Sequence, residues 1–156
     1  LIQLDWVYLP GAFDMRFEES IDIDAPQQRV WEVLSDIQAW PGRIETVSAV
    51  EVLTPAPLAK GSRVFLAQPK LPDSTWDVTV WEPPSFFEWR QKSGGVTNVA
   101  GHRVDRLEGE RSRLTLSLEM RGLPIPLVGL FYRGLITRYL SLETQGMRLA
   151  AESNET

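Results

Sequence analysis

The sequence predicts an α+β domain in which a curved antiparallel β-sheet packs against one long C-terminal helix. Three observations carry that expectation. Most of the chain alternates apolar and polar residues in short runs separated by Pro and Gly turn signals, the pattern of an antiparallel meander. The last long segment, Pro126 to about Ala151, instead repeats apolar residues at steps of three or four. No other helical segment approaches its length, so sheet and helix must each supply the other's hydrophobic partner.

Taken in order, Leu1 to Asp14 is apolar (Leu1, Ile2, Leu4, Trp6, Val7, Tyr8, Leu9) and ends near a Pro10-Gly11 turn signal. Met15 stands immediately before a regular strand, so residues 1–14 are expected to be an extension, 15–151 the domain and 152–156 a tail. Arg16 to Asp24 places Phe17, Ile21 and Ile23 on one face and charged or polar residues on the other, a half-buried strand. Pro26 opens a helix with Val30, Trp31, Val33 and Leu34 as its apolar face, and Asp36 is positioned to cap a second short turn ending near Trp40-Pro41-Gly42. Six strands are then expected over 45–53, 63–68, 75–82, 86–92, 96–107 and 113–120. In the final helix, Val128, Phe131, Leu135, Tyr139, Leu142, Gly146 and Leu149 form the expected inward stripe, about 36 Å long in all. A thinner apolar set, Ile136, Leu140 and Met147, falls on the other side. It wants cover, which Ile2 to Leu9 could supply within the chain or across a homodimer.

Composition excludes several classes. At 156 residues the chain suits a single domain with a real core. A formal charge of −5 disfavours a nucleic-acid partner. There is no Cys and one His, which leaves no disulfide, thiol nucleophile or His-rich metal site, and no cofactor is expected. No apolar run reaches the roughly 18 residues of a membrane span, and the N-terminus lacks a signal-peptide pattern. A cytoplasmic location is the resulting expectation. A glycine-rich phosphate loop, an HExxH helix and a GxSxG elbow are all missing.

A sheet of so many strands twists and curls, and one helix cannot fill its concave face. Either large side chains plug the remainder or a cavity is left, and cavities of this kind take apolar ligands.

Ile23-Asp24-Ala25-Pro26, then Val30-Trp31-Glu32-Val33-Leu34-Ser35-Asp36, Trp40-Pro41 and Val50-Glu51-Val52-Leu53 form an ordered set. It continues in Pro83-Pro84 before Phe87-Glu88-Trp89-Arg90, in Gly101-His102-Arg103-Val104 and in the C-terminal helix. Over about residues 15–151 this order resembles the START-like SRPBCC superfamily, and more narrowly its polyketide cyclase/dehydrase and lipid-transport branch. The resemblance implies a helix-grip fold, with the long helix held by a curved sheet around an elongated apolar cavity. It implies binding of lipids, isoprenoids or polyketides, which some members cyclise, without a common catalytic motif. Residues 1–14 have no counterpart in the pattern.

The candidate ligand-binding residues are Trp76, Val78, Phe87 and Trp89 as strand-borne walls, Asn98 and His102 on the next strand, and Phe131, Leu135, Tyr139 and Leu142 on the helix. His102 is a candidate acid or base, since its ordinary pKa lies near working pH. No second catalytic partner is visible, so a hydrogen-bonding role weighs more. Tyr139 either meets a ligand carbonyl or reaches past the core to the backbone. The pairs Glu18–Glu19 and Asp22–Asp24 read as solvated charge. The favoured function is a binding or carrier domain for a small apolar ligand, with affinity nearly constant between about pH 5.5 and 8 because His102 then serves in hydrogen bonding and not as a proton-transferring base. A cyclase or dehydratase using His102, and a partner-binding domain with a filled interior, are the alternatives.

Overall fold

A computed structural model of the chain describes residues 6–9, 12–122 and 126–153, with side chains described within 14–122 and 132–153. Strands β1 (Trp6–Leu9) and β2 (Ala12–Ile23) form a hairpin, followed by α1 (Gln27–Ser35), a 3-10 turn (Ile37–Ala39) and the short α2 (Trp40–Arg43). Next come β3 (Ala49–Val52), β4 (Arg63–Ala67), β5 (Ser74–Glu82), β6 (Phe86–Ser93), β7 (Val96–Arg106) and β8 (Ser112–Arg121), and α3 (Pro126–Glu152) closes the fold. All pairings are antiparallel, and the sheet order β1-β2-β8-β7-β6-β5-β4-β3 sets the first long strand beside the last. This is the helix-grip α+β architecture: the curved sheet holds α3, while α1 and α2 cover the remaining concave side.

The alternation in β2 and β8 explains their two faces. Phe17, Ile23 and Leu114 point into the core and are fully buried. On the outer face Arg113 donates to Asp22 at 2.7 Å, and Arg111 to Asp24 at 2.9 Å. The Arg113 guanidinium holds the Asp22 carboxyl below its usual range. These carboxylates are exposed ion pairs, screened by solvent and only weakly stabilising. α3 approaches α2 closely at Gly146, where a Cβ would stand 2.6 Å from the Arg43 carbonyl oxygen. Only glycine permits that crossing.

Four details depart from the sequence expectations. First, β2 starts at Ala12, and Trp6–Leu9 pair with it, so part of segment 1–14 lies at the sheet edge. Second, Asp36 makes no side-chain cap; its carboxylate pairs instead with Arg43 at 3.2 Å. Third, a bulge between Val78 and Val80 adds a residue and reverses the alternation beyond it. Trp81 therefore turns inward against Trp31 (centroids 5.3 Å apart), where simple alternation had placed it outward.

The fourth concerns the phase of α3. Leu149 is 72% exposed and Leu135 and Leu142 are only half-buried, whereas Ile136, Tyr139, Leu140, Met147 and Ala151 face the core. The true inward face is turned by one residue step, about 100°, from the expected stripe. It carries Glu143 and Thr144, so hydrophobicity alone ranks the neighbouring face above it. Ile136, Leu140 and Met147 thus belong to the protein's own core; the side chains of Ile2 to Leu9, expected to cover them, lie outside the described residues.

Candidate functional site

Between α3 and the concave sheet lies a pocket of about 280 Å³. That is near the lower end of the ~300–1,000 Å³ of ordinary ligand sites. Indoles form its walls. Trp76 arrives on β5, Trp89 on β6 and Trp40 from α2, with Trp89 packed 5.4 Å from Trp40 and 5.7 Å from Trp76 between ring centroids. Strand alternation aims Trp76 and Trp89 inward, and Trp40 is fixed by its indole N–H donating to the Leu34 carbonyl at 3.1 Å. Tyr132, Ile136, Tyr139 and Leu140 line the opposite side from α3.

Few polar groups interrupt this surface. His102 on β7 is buried and stacks on Phe87, with centroids 4.0 Å apart and planes 9° from parallel. Burial drives its pKa down to about 3, a contact with the Phe87 backbone opposing only in part, so the imidazole is neutral at physiological pH. Its Nδ1 is enclosed with no hydrogen-bond partner. Asn98 donates its amide to Gln91 Oε1 at 2.7 Å and leaves its own Oδ1 enclosed and unpartnered. Buried polar atoms without partners are uncommon, and two in one pocket invite a ligand's polar groups.

Glu143 is a further polar group of the lining. Thr46 Oγ1 and Gln68 Nε2 both donate to its Oε1, each at 3.1 Å. Burial pushes its pKa up to about 7, the two hydrogen bonds only partly restraining the rise. A group poised there both takes and gives a proton near neutrality. Among the described residues no cluster of His, Asp and Glu is arranged to hold a metal ion.

The profile of the family described as polyketide cyclase/dehydrase and lipid transport matches residues 14–152. The chain belongs to that family. No curated protein matches the sequence. Among solved structures, the chain is similar to the Zhui aromatase/cyclase from Streptomyces sp. R1128, at 20% identity over 89% of this chain and 94% of that one, TM-score 0.73. It is also similar to norcoclaurine synthase from Thalictrum flavum, solved in complex with dopamine and hydroxybenzaldehyde (12% identity, 94% and 91% covered, TM-score 0.74). A START superfamily protein from Mycobacterium smegmatis shares the fold as well (14% identity, 86% and 97% covered, TM-score 0.67). At such identities these likenesses establish the fold. Membership and fold together support a ligand-binding or cyclase role.

Within this family framework, the structure gathers Trp76, Trp89, Asn98, His102 and Tyr139 around one pocket. Phe87 stands behind His102 as its stacking partner, and Val78 is core. Leu135 and Leu142 are turned away from the pocket by the phase of α3, and the Phe131 side chain lies outside the described residues. The Tyr139 hydroxyl is engaged by the Pro69 carbonyl, so only its ring faces the pocket. Sequence reasoning missed Glu143, Trp40 and Gln91. For Glu143 a signal existed: it follows Tyr139 by four residues and Leu140 by three, the spacing of one helix face.

Proposed function

We propose that this protein binds a small, flat, largely apolar molecule between α3 and the sheet and releases it unchanged, as a carrier or receptor domain. The observation that carries this reading is an indole-walled pocket holding two enclosed polar atoms, Asn98 Oδ1 and His102 Nδ1, that the protein itself leaves unpartnered. Apolar contact gives the bulk of the affinity. Burying about 300 Å² of ligand contributes roughly 7 kcal/mol, against an association cost of at least about 4 kcal/mol. Selectivity then falls to the polar groups. Native mass spectrometry and solvent extraction of the purified protein test the reading. A retained aromatic or polyketide-like compound supports it, and an empty protein that takes up no apolar probe refutes it.

One observation favours a second reading, an enzyme of the cyclase or dehydratase type. His102 is a poor base when its conjugate acid is stable only below about pH 3. Glu143, near 7, is the better acid–base group. In a turnover assay on a polyketide-like substrate, Glu143→Gln lowering the rate 10²–10⁴-fold, as is typical of a lost acid–base group, would replace the carrier reading with this one.

A further inference from the structure

The pocket has an asymmetry of charge that its apolar walls conceal. Among the described residues lining it, Glu143 and Asp73 are acidic and none is Lys or Arg. His102 adds no positive charge, because burial keeps it neutral. Glu143 is met only by the neutral donors Thr46 and Gln68, and both converge on Oε1, leaving Oε2 without either bond. A carboxylate half-buried in a pocket without a countercharge is costly, and replacing it would relieve that cost. Asn98 adds an acceptor: one of its amide hydrogens donates to Gln91, and its oxygen is unpartnered. Around these acceptors stand Trp40, Trp76, Trp89 and Tyr139, rings whose faces attract cations.

We propose that the ligand of this pocket is a protonated aromatic amine, its ammonium held by Glu143 and the Asn98 carbonyl and its ring by the indole walls. The proposal rests on the binding reading above and narrows its ligand to a cationic class. The ammonium supplies the countercharge that Glu143 lacks and satisfies the enclosed Asn98 oxygen, while the tryptophans replace its lost hydration with cation–π contact. A neutral ligand of the same shape meets only half of this, and an anion meets repulsion.

Three probes of one skeleton isolate the charge: 2-phenylethylamine, 2-phenylethanol and phenylacetate, titrated by calorimetry into the full chain at pH 8. The amine should bind at least tenfold more tightly than the alcohol, with phenylacetate weakest, and Glu143→Gln should erase the preference. Should that variant fold poorly, the wild type carries the test alone. Among the described residues lining the pocket, the other titratable groups are Tyr132 and Tyr139 on the same helix, Asp73 in the loop before β5 and His102 across the pocket on β7. With a Glu143 pKa of about 7, lowering the pH from 8 to 6 leaves about a tenth of it ionised. Amine affinity should therefore fall about tenfold, while that of the alcohol stays level. Equal binding of amine and alcohol, or a preference that survives both Glu143→Gln and low pH, overturns the proposal. Uptake of the neutral dye Nile red separates the two levels. If the dye binds while the amine shows no preference, only the cationic class is wrong. If neither dye nor any of the three probes binds, the pocket reading fails with it.

Discussion

Replacing Glu143 by glutamine should stabilise the protein at alkaline pH and leave it nearly unchanged at acid pH. The folded protein raises the Glu143 pKa from 4.5 to about 7. A displacement of about 2.5, at about 1.36 kcal/mol per pH unit, makes the ionised form cost about 3 kcal/mol in the fold. The folded-state value lies above the unfolded one. The protonated group's contribution to stability is therefore complete below pH 4.5 and is lost as the pH rises through about 7. Glutamine keeps a similar shape and can still accept from Thr46 and Gln68 without carrying charge. Urea unfolding of both proteins at pH 5, 6, 7 and 8 measures the difference directly, since every other titration cancels. The variant should gain about 1 kcal/mol at pH 5, rising to about 3 kcal/mol at pH 8, or about 6–12 °C in Tm. A variant equally or less stable at pH 8, or a difference that does not depend on pH, would refute the claim that Glu143 is an uncompensated buried carboxyl. The expectation of pH-independent binding between pH 5.5 and 8 considered His102 alone, and Glu143, with its pKa pushed up to about 7, is a second group to weigh in that range.

His102 should act in the opposite direction. Its folded pKa of about 3 lies below the ordinary 6.5, so its contribution is whole above pH 6.5 and about 2 kcal/mol of it is gone by pH 5; an imidazole that NMR shows titrating near 6.5 in the folded protein would contradict its burial. Ile136→Trp should fill the pocket and abolish Nile red uptake, whereas Leu135→Trp, on the half-buried neighbouring face, should leave uptake intact; the reverse result would restore the expected helix phase. Two helical glycines should respond with opposite sign in thermal melts. Gly134→Ala meets nothing within 4 Å and should gain about 0.5–1 kcal/mol in helix propensity, while Gly146→Ala would press on the Arg43 carbonyl at 2.6 Å and should lose about 1–3 kcal/mol. Equal stabilisation by both would mean that α2 and α3 are not in close contact.

The fold was legible because its two periods, 2 along the strands and 3.6 along α3, run for long stretches without interruption. On the sheet side of the pocket the same regularity identified Trp76, Trp89, Asn98 and His102, with Trp76 lying on β5 before its bulge. It failed where a local event breaks the period: the bulge after Val78 turned Trp81 inward without any mark in the composition. On α3 it failed for a chemical reason. A face that carries a carboxylate and a threonine is less apolar than its neighbour, so hydrophobic phasing chose Leu135, Leu142 and Leu149 over Ile136, Leu140 and Met147. The residue that most distinguishes the pocket, Glu143, was the one that misdirected the helix assignment.

The pairing of β2 with β8 also governs how the molecule comes into being. Met15 lies opposite Met120 and Ile23 opposite Ser112, so the central seam joins segments separated by nearly the whole domain. Such long-range closure is slow to form, because chain entropy is lost before any contact is gained. At the ~5–20 residues per second of synthesis, about 5–20 s pass between the emergence of β2 and that of its partner. Over that interval the buried face of β2, with Phe17 and Ile23, has only the β1 hairpin beside it, and α3 has yet to be made. A nascent chain stalled before Ser112 holds the five consecutive strands β3 to β7 without α3 to complete their cover, a substrate for chaperones or for aggregation.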